Sequence, residues 1–282
     1  FVSSYPGTPS TEITEAIAKY PEVYAEWAPN EKVAMEAAFG ASLAGRRSFC
    51  GMKHVGLNVA ADPLFTISYT GVNAGMVIGV ADDAGMHSSQ NEQDSRHYAR
   101  AAKIPMLEPS DSLECRDFAK AAFDLSEQFD TPILVRLSTR VSHSQSLVDV
   151  SEREVHPVKA YQKNIAKNVM MPANAIKRHV VVEERTEKLQ AYAADCPFNT
   201  VEDNGSDIGV IAAGIAYQYA KEALGDKASY LKLGCVYPLP EKLIKDFCAE
   251  CETVYVLEEL DDYLETHCRK IGVNVIGTEA FT

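Results

Sequence analysis

Groups able to move a proton or hold a ligand fall at four places in this 282-residue chain. Glu31 is the first, at the end of Trp27-Ala28-Pro29-Asn30-Glu31 and at the head of a stretch whose spacing predicts a helix. Asn30 suits the N-cap, because its side-chain oxygen can take an orphan amide of the first turn. Glu31 is open to two readings. It complements the helix dipole, worth about 0.3–1 kcal/mol, or it is a positioned carboxylate that exchanges a proton with a ligand. Thr8 is second, in Tyr5-Pro-Gly-Thr-Pro-Ser10, where turn amides and a hydroxyl either hold a carboxylate or phosphate or simply cap the next helix. Third is Lys53-His54-Val55-Gly56-Leu57-Asn58, read as a loop that clusters a cation, a histidine and an amide. The fourth runs from Gly85 to Arg96 and includes Gln90; it is either a functional loop or a solvated one that caps a helix.

Each place follows an apolar run of strand length, so the elements between them decide whether the groups can meet. Phe1–Ser4, Val23–Trp27, Ser48–Met52, Gly75–Ala81, Met106–Glu108 and Pro132–Leu137 read as strands. Helical patterns lie between them: Ser10–Lys19, the stretch from Glu31, Val59–Tyr69, and Pro109 to about Gln128. In the helix from Glu31, Ala34, Ala37, Ala38 and Ala41 recur at i, i+3, i+4 and i+7, a face small enough for close approach of a backbone or a flat ligand. Alternation of this kind predicts a parallel, doubly wound α/β domain, with ligands at the carboxyl ends of its strands.

We place that domain at residues 1–141. Residues 142–206 are polar, with helical patterns at Pro172–Val182 and Glu183–Asp195, and read as a partly helical connector. Residues 207–282 return to alternation and form a second, smaller α/β domain whose last strand begins at Val273.

Composition narrows the function classes. Hydrophobic residues make up 46% and charged residues 24%, globular proportions. A net charge of −13 and a pI near 5.0 disfavour nucleic acid and anionic membranes as partners. Seven cysteines without framework spacing point to a reducing cytoplasm, and no signal peptide is visible. Cys248-Ala-Glu-Cys251 is a lone CxxC without a second pair, and no acid–histidine spacing matches a metal site, so no metal ligands are assigned. Walker, HExxH and nucleophile-elbow motifs are missing.

Some strings are too long and unusual for chance. Tyr5-Pro-Gly-Thr-Pro-Ser10, with Asn30-Glu-Lys-Val-Ala34 and Gly40-Ala-Ser42, resembles the first domain of the 2-oxoacid:ferredoxin oxidoreductases. Met52–Asp62, Ser88–Arg96 and Thr139–His143 resemble the alpha subunits of the indolepyruvate branch of that family. Tyr237-Pro-Leu-Pro240 and Val256-Leu-Glu-Glu259 resemble the transketolase C-terminal-like domain that follows in such subunits.

The resemblance implies a thiamine-diphosphate pyrimidine-binding domain followed by that second domain. It also implies oxidative decarboxylation of an arylpyruvate such as indolepyruvate to acyl-CoA, with ferredoxin as electron acceptor. In this reading Glu31 is catalytic and contacts N1′ of the cofactor's aminopyrimidine, with Gly56 and Asn58 beside the cofactor. Thr8, His54, Gln90 and Arg96 fall to the substrate. The expected partners are a beta subunit, ferredoxin, the 2-oxoacid and coenzyme A. The Gly-Asp-Gly…Asn pattern for diphosphate and magnesium is absent from the sequence, as is the cysteine run of an iron–sulfur site. Magnesium and iron–sulfur clusters are therefore expected in other parts of the subunit. The chain is expected to be an N-terminal fragment that begins inside a domain and is inactive alone. Pyruvate or a branched-chain 2-oxoacid as substrate, or a non-catalytic assembly role, are the alternatives.

Overall fold

A computed structural model describes residues 1–280. The first unit runs β1 (Val2–Ser4), α1 (Thr11–Ile17), β2 (Ala25–Trp27), α2 (Glu31–Leu43), β3 (Ser48–Lys53), α3 (His54–Val59), α4 (Ala61–Thr70), β4 (Met76–Asp82), α5 (Arg96–Ala102), β5 (Met106–Leu107), α6 (Ser112–Phe129), β6 (Ile133–Ser138) and α7 (Thr139–His143). A long stretch without helix or strand leads to α8 (Ile165–Asn168) and α9 (Pro172–Ala194). The rest comprises β7 (Thr200–Glu202), β8 (Ile208–Ala213), α10 (Gly214–Leu224), β9 (Ser229–Leu233), β10 (Cys235–Tyr237), α11 (Glu241–Ala249), β11 (Thr253–Leu257) and α12 (Tyr263–Lys270).

Seven strands form the first sheet in the order β10-β5-β6-β4-β3-β1-β2. Every pairing except β10 with β5 is parallel. β4 reads Met-Val-Ile-Gly-Val-Ala-Asp and is buried along its whole length, as a central strand covered on both faces must be. One face packs Met52, Ile78 and Val80 against Ala34, Met35, Ala38, Leu57 and Leu64 of α2 to α4. Val77, Val135 and Leu137 meet Phe118, Ala122 and Leu125 of α6 on the other. Parallel strands bring all their carboxyl ends to one edge, so the segments after β1, β3, β4 and β6 are gathered there. The second sheet, β11-β8-β9-β7, is parallel except for β7.

The mixed α/β architecture with parallel sheets is the expected one, but several local expectations change. Residues after Lys53 are helical rather than a loop, because His54 and Leu57, three apart, are both wholly buried and hold the turn in place. The two connector helices are one, α9, with Pro172 in its first turn and Val182, Arg185, Leu189 and Ala193 along one buried face. No strand starts at Val273; only Ile276 bridges to Tyr255. Two strands also cross the expected divisions. β7, inside 142–206, edges the second sheet, and β10, inside 207–282, edges the first. Residues 281 and 282 lie outside the described ones. Among the described residues, no helix is long and apolar enough to cross a membrane.

Candidate functional site

Glu31 opens α2 at the carboxyl edge of the first sheet. Asn30 is extended and its side chain accepts from the Val33 amide at 3.0 Å, so the cap read from the sequence is formed. Ala34, Met35 and Ala38 are wholly buried one turn on, which fixes the helix and with it the direction of the carboxylate. Glu31 is 9% exposed and lies on Gly56 of α3. A Cβ at Gly56 would stand 2.5 Å from both Cγ and Oε1 of Glu31, so only glycine allows this approach. Among the described residues the Glu31 carboxylate has no hydrogen bond or ion pair. Beneath it, burial and the Glu31 charge both push the Cys50 thiol up. A nearly buried acid without a protein partner among the described residues is free to take a donor from a ligand.

His54, at the end of β3, is wholly buried. Its Nε2 lies 3.2 Å from the Asn91 carbonyl, which can only accept, so Nε2 carries a proton, and Nδ1 has no partner among the described residues. Asn58 is exposed one turn beyond, and its Oδ1 accepts from the Tyr98 hydroxyl. Thr8 is exposed in the turn after β1, with its hydroxyl unbound among the described residues. The helix that follows has no side-chain cap; the Ser10 hydroxyl goes to the Gly7 carbonyl at 2.7 Å. A Cβ at Gly7 would be 3.1 Å from that of Lys53, so the Thr8 turn lies against the end of β3. Gln90 is exposed in the loop above.

Thr8, Glu31, His54, Gly56, Asn58 and Gln90 are thus all delivered to one edge, with Glu31 and Gly56 in direct contact. Arg96 is not among them. It is wholly buried, and its guanidinium is taken by Asp94 at 2.9 and 3.0 Å, by Glu258 at 2.6 Å and by two backbone carbonyls. The expectation that Arg96 falls to the substrate is therefore corrected. Every nitrogen of the side chain already has a protein acceptor.

Several charged residues had no assignment from the sequence. Asp82 and Asp83 end β4, and both are buried. Asp82 accepts from Arg136 of β6 at 2.7 Å and from the Ser95 amide at 3.0 Å, and Arg136 also reaches Glu108 at 2.6 Å. Burial would raise the Asp83 carboxyl, but Ser89, Thr139, the Ser88 amide and Lys53 bring it down to about 2. Charges inside apolar runs, such as Arg136 in Ile133–Ser138, were the available signal, because buried charges are almost always paired. Asp94, His97 and Asp261 also bring three oxygen or nitrogen atoms within 4.8 Å of one another, but both Asp94 oxygens are already bound to Arg96.

Residues 1–204 match the family of pyruvate flavodoxin/ferredoxin oxidoreductases, thiamine diphosphate-binding region. The chain belongs to that family. It is 43% identical over 284 residues to the indolepyruvate oxidoreductase subunit IorA of Archaeoglobus fulgidus, covering 96% of this chain and 45% of that protein. To its counterpart from Methanothermobacter marburgensis it is 47% identical over 272 residues, 93% of this chain and 44% of the relative. The chain therefore spans less than half the length of these relatives. A 2-oxoglutarate:ferredoxin oxidoreductase from Magnetococcus marinus, solved with 2-oxoglutarate, coenzyme A and succinyl-CoA, superposes with a TM-score of 0.77 at 18% identity, over 98% of this chain and 57% of that one. A split-gene transketolase superposes at 0.61 with 17% identity, over 98% of this chain and 81% of the other. At such identities the two structures speak for the fold.

Proposed function

We propose that the chain forms the pyrimidine side of a thiamine-diphosphate site in a subunit that oxidatively decarboxylates arylpyruvates, indolepyruvate among them, to acyl-CoA with ferredoxin as acceptor. Supporting this are the family, the names of its relatives and the 2-oxoacid and coenzyme A bound by the structural neighbour. The observation that carries it is the Glu31 carboxylate, nearly buried, seated on a glycine and unpaired among the described residues. Its surroundings fit an aminopyrimidine ring in one respect: the carboxylate, which has no partner among the described residues, is free to take a hydrogen bond from a protonated ring nitrogen.

When bound, thiamine diphosphate supplies the carbon nucleophile and the electron sink that decarboxylation of a 2-oxoacid requires. This chain's residues do the rest of what lies on its side. Glu31 holds a proton jointly with N1′, Gly56 leaves room for that carboxylate, and Asn58 lines the approach. His54 keeps Nδ1 buried beside the site without a partner among the described residues, and Thr8 with Gln90 offers hydroxyl and amide contacts to a substrate. Magnesium, the diphosphate contacts and the iron–sulfur clusters belong, in this proposal, to the length of the relatives that this chain does not span.

The test uses the complete enzyme with its beta subunit, following viologen reduction by indolepyruvate. Glu31→Gln keeps the shape but not the charge, and the rate should fall by about 100-fold or more, the usual worth of a positioned proton-transfer group. An unchanged rate ends the proposal. Comparing indolepyruvate with phenylpyruvate, pyruvate and a branched-chain 2-oxoacid decides the substrate class.

A further inference from the structure

Residues 84–93 join β4 to α5 across the carboxyl edge of the first sheet, and their two feet are fastened to different units. The near foot is held from within the first unit. Asp83 accepts from the His87 and Ser88 amides at 3.2 and 2.8 Å and from the Thr139 hydroxyl at 2.7 Å. Lys53 donates to the Ser88 carbonyl at 2.7 Å. The far foot is held by the second unit. Asp94 lies under Arg96, which donates to the Glu258 carboxylate at 2.6 Å and to the carbonyls of Glu259 and Asp261 at 2.9 and 3.1 Å. Glu258 is in turn fixed by the Leu264 and Glu265 amides at the start of α12, at 2.9 and 3.0 Å. Between the feet, the Asn91 carbonyl meets His54 Nε2 at 3.2 Å.

We infer that the second α/β unit positions this loop over His54, with Arg96 as the positioning residue that transmits its placement. The inference rests on the proposed function, since it gives the second unit a part in shaping that same substrate edge. A buried ion pair is a poor way to add stability, because desolvation offsets most of its attraction. It is a good way to fix direction, because a planar guanidinium binds acceptors only in its own plane and at set angles. An apolar patch would hold the units together equally well without specifying where the loop lies. Lys232 of β9 and Glu114 of α6 supply the contrast: they also pair across the units, and neither reaches the loop.

Three variants of the complete enzyme separate positioning from glue. Glu258→Gln and Arg96→Lys should speed amide exchange at residues 86–93 by about 10-fold or more, as expected when a local tether is lost. They should also raise KM for the 2-oxoacid by about 10-fold with a smaller change in kcat. Lys232→Met should do neither. Unchanged loop exchange in folded Glu258→Gln overturns the inference, and so does an equal effect of Lys232→Met, which would mean that the contacts serve stability alone. Faster exchange with an unchanged KM also overturns it. Amide exchange is read without turnover, so failure of this inference is distinct from an unaffected Glu31→Gln enzyme, which would end the proposed function instead.

Discussion

A methyl group at Gly56 would have to occupy space held by the Glu31 carboxylate, 2.5 Å away. Gly56→Ala should therefore turn Glu31 aside and cut activity of the complete enzyme by about 10-fold or more, with the melting temperature moved only a few degrees, since misplacing a catalytic group is costly even without unfolding. A parallel steady-state and melting measurement checks both halves. Asp94 carries a pH signature. Burial would raise its carboxyl, but the charge of Arg136 and the hydrogen bonds of Arg96 bring it down to about 2. Its contribution to stability is therefore complete above the unfolded value near 4 and is lost as pH falls through about 2. Acid titration should show stability declining in that window, and Asp94→Asn should flatten the decline while costing about 2 kcal/mol at neutral pH. The capped helix start at Asn30-Glu31 was legible in the sequence because a cap is a local pattern, whereas the catalytic reading of Glu31 came only from the family resemblance. Arg96 was misread for the opposite reason: its acceptors Glu258, Glu259 and Asp261 lie more than 160 residues away, and nothing in Asp94-Ser95-Arg96 announces them.

Local chemistry likewise separates the elements that could be read from those that could not. Asn30 and Asp111 cap α2 and α6 through bonds to residues three further on, information held entirely in the neighbouring sequence. Asn30→Ala should lower stability by about 1 kcal/mol, the ordinary worth of such a cap, measurable as a shift in the denaturant midpoint. It should also fray the turn that carries Glu31. The short helix α3 is different. His-Val-Gly-Leu-Asn-Val has weak helical propensity, and burial of His54 and Leu57 in the core holds it helical. α9 continues through Val180-Val181-Val182, where the first of the two expected helical patterns ended; this β-branched stretch is tolerated because Val182 packs inward, on the same buried face as Arg185. Arg185 reaches the Ser68 carbonyl at 2.8 Å and the Asp130 carbonyl at 3.0 Å, lashing this helix to the first unit.

Over the whole molecule, strand and helix alternation gave the fold class, because a buried parallel strand such as β4 reads as an unbroken apolar run. The divisions at 141 and 206 do not coincide with the membership of the two sheets. β10 is three residues long, and Cys-Val-Tyr would suit either sheet; only its antiparallel pairing with Met106 and Leu107 assigns it. That pairing orders events during synthesis. A ribosome completes β5 early, but its outer neighbour emerges some 130 residues later, after the connector, β7, β8 and β9. Until then the first unit carries a bare edge to which another nascent chain could add a strand. A chain stopped after residue 206 should accordingly be recovered largely as aggregate, whereas one that continues through the second unit should be soluble, and sedimentation of the two expressed side by side decides it. Three residues, Cys235 to Tyr237, act as the selvedge of a sheet woven otherwise from strands between Val2 and Ser138.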